Sequence, residues 1–384
     1  MKGGACVAPI RVGVVGLGLI TQAVHLPNLQ TLRGDFLVTS VCDASSGLAI
    51  SVADALPGQV AATDDWREVV DDPRVDAVLV LTPGAHGDVV LGAMRAGKHV
   101  FAEKPLGHSQ AEIAEMIALA QETGLVLQVG TMKAHDDIIG PARRALGRIG
   151  TVRVVRITVL HPTDECQFEH VNLLPAASPN PEVIAAGRAY THARNDEAVS
   201  DSAPGVRRLY ADVLLGSVVH ELALLRALGL DLPLSWEFAS VDPPLREVTP
   251  TEPPRIMAIG GLPAGGQLQL SWNWVPDYPE YDEEVKVIGS AGRVTLTMPG
   301  PYLADHRARL VVESMSEGLR SRSEMFSGNT TAFVRELQSF AASIRFGAPV
   351  LCDASGALTD IRCLQALASA AGRQAGLHVA GEAA

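Results

Sequence analysis

Apolar residues fall in short unbroken runs through the first third of the chain and in alternation through much of the rest. Ile10–Val15, FLVTSVCD (36–43), VDAVLVLT (75–82), KHVFAEK (98–104) and LVLQVG (125–130) are such runs, bounded by Gly, Pro, Asp or Ser. Between them lie segments with helical spacing, among them HGDVVLGAMRAG (86–97) and SQAEIAEMIALAQETG (109–124). Unbroken apolar strands alternating with amphipathic helices predict a doubly wound parallel sheet covered on both faces. Helix-end signals agree, since Ser109 stands three residues before Glu112 and Gly124 closes the segment.

After Gly150 the period changes. VRVVRITVLHP (152–162) alternates as a strand with one wet face does, and EFASVDPP, RIMAIGGL, GQLQLSWNWV, EEVKVIGS and GRVTLTM follow at hairpin spacing. This predicts a predominantly β second region built on an antiparallel sheet. Three helical patterns interrupt or close it, at 206–229, 331–347 and 354–376. The division expected is an N-terminal Rossmann dinucleotide-binding domain over 1–132 and an α+β substrate and oligomerisation domain over 133–384. The terminal helix at 355–377 should pack back on the first domain. Residues 161–207, rich in Pro, Asn, Asp and Ala with poor periodicity, read as an insertion serving as a lid or a subunit contact.

The first strand runs into GLGLITQAVHLPNL, which is strand, tight turn and helix in the order a dinucleotide site needs. Gly16 allows the turn, Gly18 lets the backbone approach a pyrophosphate, and the helix amides face the phosphates. Thr21 stands where a third glycine would serve helix packing. Asp43 closes the next strand, where a carboxylate binds both ribose hydroxyls and repels a 2′-phosphate. Ala44, Ser45 and Ser46 offer no cation for that phosphate, so NAD is expected over NADP.

Composition narrows the partners. A net charge of −12 argues against nucleic acid and anionic membrane. No apolar run reaches the roughly 18 residues of a membrane span. The N-terminus lacks an apolar signal core, which predicts a cytoplasmic location. Five cysteines, odd in number and without metal-binding spacing, suit reduced thiols.

The chain resembles the Gfo/Idh/MocA oxidoreductase family over nearly its whole length. The resemblance rests on VGVVGLGLIT with HLPNL, on VDAVLVLTPGAHGDVVLGAMRAGKHVFAEKPLG, on YDEEVKVIGSAGRVTL, and on AFVRELQSFAASIRFGAPV. It implies hydride transfer between a nicotinamide and a secondary alcohol or ketone of a sugar, cyclitol or derivative, in a dimer or tetramer joined through an open, mostly antiparallel sheet. It implies coenzyme contacts at Gly16, Gly18, Leu19, Ile20, Asp43, Thr82, Pro83, His86, Glu103 and Lys104. The substrate set it suggests is Lys104, Lys133 and His220, with His135 two residues past Lys133 and no metal; Lys133 equally suits an exposed basic start of the next helix, and Asp212 joins as a candidate from its helical spacing to His220.

Alcohol oxidation requires a base for the hydroxyl proton. His220 is assigned that part, with Lys104 as the orienting ammonium, although the two roles can be exchanged. The family pattern has an aspartate four residues before this histidine and often another three after it. Here Gly216 and Ala223 stand there, and Asp212 is the candidate substitute. Trp272 and Trp274 share a strand face, suiting either sugar stacking or the core. His161, Asp164, Glu165, Cys166, Glu169, His170 and His192 are ligand-type residues without a closed metal motif. Alternative functions are a dinucleotide-binding regulator without turnover, and a redox-neutral enzyme that eliminates or cleaves glycosides with tightly bound NAD.

Overall fold

The computed structural model describes residues 8–163, 168–200, 203–233, 235–248, 252–300, 302, 307–316 and 318–384. Six strands, β1 (Ile10–Val15), β2 (Phe36–Cys42), β3 (Ala61–Thr63), β4 (Ala77–Val80), β5 (His99–Glu103) and β6 (Leu127–Gly130), form a parallel sheet in the order β3-β2-β1-β4-β5-β6. Because both faces are covered, successive residues of one strand enter two different cores. Val78 and Val80 meet Val90, Met94 and Ile113 on one side. Ala77 and Leu79 meet Leu29, Leu48, Val52 and Phe340 on the other. This is why these strands read as unbroken apolar runs.

The second sheet has eight strands: β7 (Val152–His161), β8 (Trp236–Asp242), β9 (Arg255–Gly261), β10 (Gln267–Trp274), β11 (Asp282–Gly289), β12 (Gly292–Met298), β13 (Arg309–Ser316) and β14 (Leu319–Phe326). Their order is β14-β13-β12-β11-β7-β10-β9-β8, with only β7 and β10 parallel. One face packs on the helices, and its residues Val155, Ile157, Leu268, Leu270, Val285 and Leu296 share a core with Leu222 and Leu364.

Several elements differ from the sequence reading. Strands β13 and β14 escape it, since β14 is exposed along nearly its whole length and carries no apolar alternation. The insertion contains a helix, Pro181–Val199, started by the Asn180 cap and Pro181. Most of its surface faces solvent, which removes the periodicity that would reveal it. The segment 206–229 is one helical run, but Leu209–Val218 winds in wide π turns between Pro204–Arg208 and Val219–Ala227. The helix Ala354–Gln374 touches both sheets' layers: Gln365 accepts from Gln110 of the first, and Cys363 O accepts from Trp236 of β8. No helix among the described residues is long and apolar enough to cross a membrane.

Candidate active site

The glycine turn sits where β1 parts from β2 and β4, the crevice at which such sheets bind ligands. Gly16 has φ +93°, and a Cβ on it would lie 2.8 Å from Leu81 C and Thr82 N. Both the turn and the neighbouring strand end therefore demand glycine. A Cβ on Gly18 would meet nothing within 4 Å, so its side faces open space. Thr21 does more than tolerate the third position: its buried hydroxyl donates to Gly16 O at 2.7 Å and ties the helix to the turn. Leu19 and Ile20 are half-buried beside it.

Asp43 accepts from Leu17 N–H and Ser45 N–H, each at 2.9 Å, which aims its carboxylate across the crevice. Thr82 and Pro83 line the end of β4, and Thr82 O faces His86 Nδ1 at 3.2 Å. His86 is buried, its Nε2 has no partner, and burial holds its pKa low.

Glu103, a coenzyme contact in the resemblance, has both carboxylate oxygens engaged within the protein. Its carboxylate meets His25 Nε2 at 2.8 Å and accepts from Lys104 N–H at 3.1 Å. It thus anchors the end of β5 to the helical segment behind the glycine turn. Glu336 lies beside the pair, fully buried, with neither side-chain oxygen bonded. Burial first, then the nearby Glu103, pushes its pKa well above the carboxylate range. Ligand-type atoms of His25, Glu103 and Glu336 lie within 4.8 Å of one another, a grouping unrelated to the insertion's residues. Of those, Asp164, Glu165 and Cys166 lie outside the described residues.

Lys104 turns the other way, and its Nζ donates to Gly216 O at 2.5 Å. The acceptor is the backbone carbonyl of the wide-wound segment at the position where the family pattern has an aspartate. One helical turn later stands His220, whose Nδ1 is enclosed without a partner. Burial first, then the charges of Lys104, Lys133 and His161, drives its pKa well below 6.5. At neutral pH this imidazole is therefore uncharged, and it can accept a proton.

Lys133 closes the far side. Its Nζ donates to Glu221 Oε1 at 3.0 Å and to Glu283 Oε2, with Tyr281 OH 3.5 Å away. Tyr281 OH in turn donates to Glu283 Oε2 at 2.5 Å. Burial disfavours the ammonium, but the two carboxylates outweigh it and raise its pKa. Glu221 is pushed up by burial despite Lys133. Its Oε2 and Glu283 Oε1 remain buried without partners. His161 stacks on Trp274 at 5.4 Å and meets Tyr281 edge-on. Trp272 is core: it is 2% exposed and donates to Ser217 Oγ at 2.8 Å. A cavity of about 410 Å³ opens beside Lys133, lined also by Asn28, Asp136, Met298 and Phe333.

Two expected substrate residues stand apart from this cluster. Asp212 is 45% exposed and pairs with Arg208 at 2.8 Å. The α-helical spacing that would align it with His220 does not hold across the π-wound segment. His135 lines a separate shallow depression with Arg143, Arg335 and Leu351. Conversely, Glu283 and Tyr281 were missed by sequence reasoning. The usable signal is that Glu283 shares the inward strand face of Val285 and Val287, a carboxylate in an apolar slot.

Residues 10–131 match the sequence model of the oxidoreductase family with an NAD-binding Rossmann fold. Over 144 residues the chain is 37% identical to scyllo-inositol 2-dehydrogenase (NAD(+)) of Bacillus subtilis, covering 37% of this chain and 42% of that one. It is 33% identical over 156 residues to myo-inositol 2-dehydrogenase of Thermotoga maritima, covering 40% and 46%. The chain thus spans less than half the length of these curated relatives. Similarity of fold extends further. An oxidoreductase from Thermotoga maritima superposes with a TM-score of 0.69 at 18% identity, over 95% of this chain and 97% of the other. UDP-N-acetylglucosamine 3-dehydrogenase of Acidithiobacillus ferrooxidans does so with 0.67 at 20% identity, over 94% and 97%.

Proposed function

We propose that this chain, whose residues 10–131 match the oxidoreductase family with an NAD-binding Rossmann fold, is an NAD-dependent dehydrogenase of a sugar or cyclitol. The observation that carries the reading is that Lys104, at the end of β5, reaches Gly216 O one helical turn before His220, whose buried imidazole is neutral. The residues present suit the coenzyme. Open space over Gly18 accommodates a pyrophosphate, Asp43 retains lone pairs for ribose hydroxyls, and Ala44 to Ser46 bring no positive charge. When bound, the nicotinamide supplies the hydride acceptor.

The protein's own part is positioning and proton transfer. Lys104 donates a hydrogen bond to the substrate oxygen and stabilises negative charge as it develops. His220 takes the hydroxyl proton as the carbon becomes a carbonyl. Lys133 lines the cavity and offers a donor to a remaining hydroxyl, while Glu221, Glu283 and Tyr281, buried behind it, hold its ammonium in place. The test is NADH formation over a panel of inositols and hexoses, with His220→Ala as comparison. Turnover of at least one polyol, reduced about a hundredfold or more in the variant, supports the reading. Absence of turnover across the panel in both directions, or undiminished turnover in the variant, refutes it.

A further inference from the structure

The insertion is docked on the coenzyme crevice. Leu174 and the Gln22 side chain exchange two hydrogen bonds, Leu174 N–H to Oε1 at 2.8 Å and Nε2 to Leu174 O at 3.2 Å. Ser45 Oγ donates to Ala177 O at 2.7 Å, and Asn180 N–H donates to Ala44 O at 2.7 Å. On the helix that follows, Thr191 Oγ1 accepts from Ala85 N–H at 3.1 Å. These anchors follow, in turn, the glycine turn, the Asp43 carboxylate and the Thr82–Pro83 loop. They are the three loops that form the crevice at the carboxyl ends of β1, β2 and β4.

We propose that residues 174–191 form a strap across the adenosine end of the crevice, which slows coenzyme release and rejects a 2′-phosphate. The inference rests on the dehydrogenase reading above. Rejection follows from what the strap does to the residues after Asp43. Ser45 Oγ already donates to Ala177 O and accepts from Leu48 N–H at 3.2 Å, so its one proton is engaged. A phosphate beside it would face the Ala177 carbonyl and the Asp43 carboxylate, both electron-rich, and Ala44 to Ser46 bring no cationic side chain to offset them. Slow release follows because the coenzyme leaves only when the strap opens, which breaks the hydrogen bonds above and that from Tyr190 OH to Glu112 Oε1 at 3.0 Å. The strap can open locally without unfolding the sheet beneath it.

The test is stopped-flow measurement of NAD release, with NAD and NADP affinities, in the wild type, Gln22→Ala, Leu174→Pro and the double variant. Gln22→Ala also removes a bond to Leu17 O, whereas Leu174→Pro alters the strap alone. Each single change should speed release about fivefold to tenfold and narrow the preference for NAD. The double variant should add little to Gln22→Ala, because both act on the same contact. Hydrogen exchange provides the second readout: the amides of Leu174 and Asn180 should gain protection when NAD is added. Unchanged release in both folded single variants, or no gain in protection, overturns the strap while leaving the dehydrogenase intact. A wild type that binds neither nucleotide overturns the functional reading as well.

Discussion

Replacing Lys104 by Ala removes two things at once, and they can be separated by pH. The ammonium donates to Gly216 O at 2.5 Å, and after burial it is the main influence depressing the pKa of His220. A nearby positive charge disfavours the imidazolium, so removing it raises the pKa of His220. Losing a donor to the developing oxyanion costs about 10²–10³ in kcat. A base that must be neutral makes oxidation rise with pH through its own pKa. The profile of kcat/KM against pH for Lys104→Ala should therefore show a lower plateau and a midpoint moved to higher pH. Lys104→Arg keeps the charge and should hold the wild-type midpoint even as the plateau falls. A kcat within about twofold of wild type would remove Lys104 from the chemistry. A lowered plateau with an unmoved midpoint in the Ala variant would refute its electrostatic hold on His220.

Three further outcomes are expected. Gly16→Ala should lower stability by about 2 kcal/mol or more, since its Cβ meets Leu81 and Thr82 at a positive φ, whereas Gly18→Ala should melt like the wild type yet bind NAD at least about tenfold more weakly; equal melting losses would contradict this. Lys133→Met leaves Glu221 and Glu283 buried without their cation, so urea unfolding should show a loss of about 3–5 kcal/mol near pH 8. That loss should shrink near pH 5.5, because a carboxyl whose folded pKa is raised above its unfolded value is destabilising as pH rises through that window; a pH-independent loss would count against the buried cluster. Glu336→Gln should retain stability within about 1 kcal/mol at neutral pH, because the raised pKa means the wild-type carboxyl is already uncharged there; a loss well beyond that would mean that the native group is ionised.

The parts legible in the sequence are those whose cause is local. The succession of β1 to β6 along the chain and the glycine turn follow from apolar period and turn chemistry. The position of Asp43 at the end of β2 is likewise local, whereas its orientation depends on Leu17 N–H. Strand β14 and the helix Pro181–Val199 were invisible because exposed elements bury no regular face.

The composition of the site was decided by tertiary structure alone. Lys133 finds its carboxylates 88 and 150 residues away, and no short-range pattern encodes such a meeting. That Gly216 O, and not Asp212, receives Lys104 depends on a π-wound segment that shifts which residues share a helix face. The inward turn of Glu103 depends on His25 and on Glu336, brought in by a helix near the far end of the chain. In each case the physical reason is the same. Protonation state and pairing are set by what burial removes from water, and burial is a property of the assembled layers, not of any stretch of sequence.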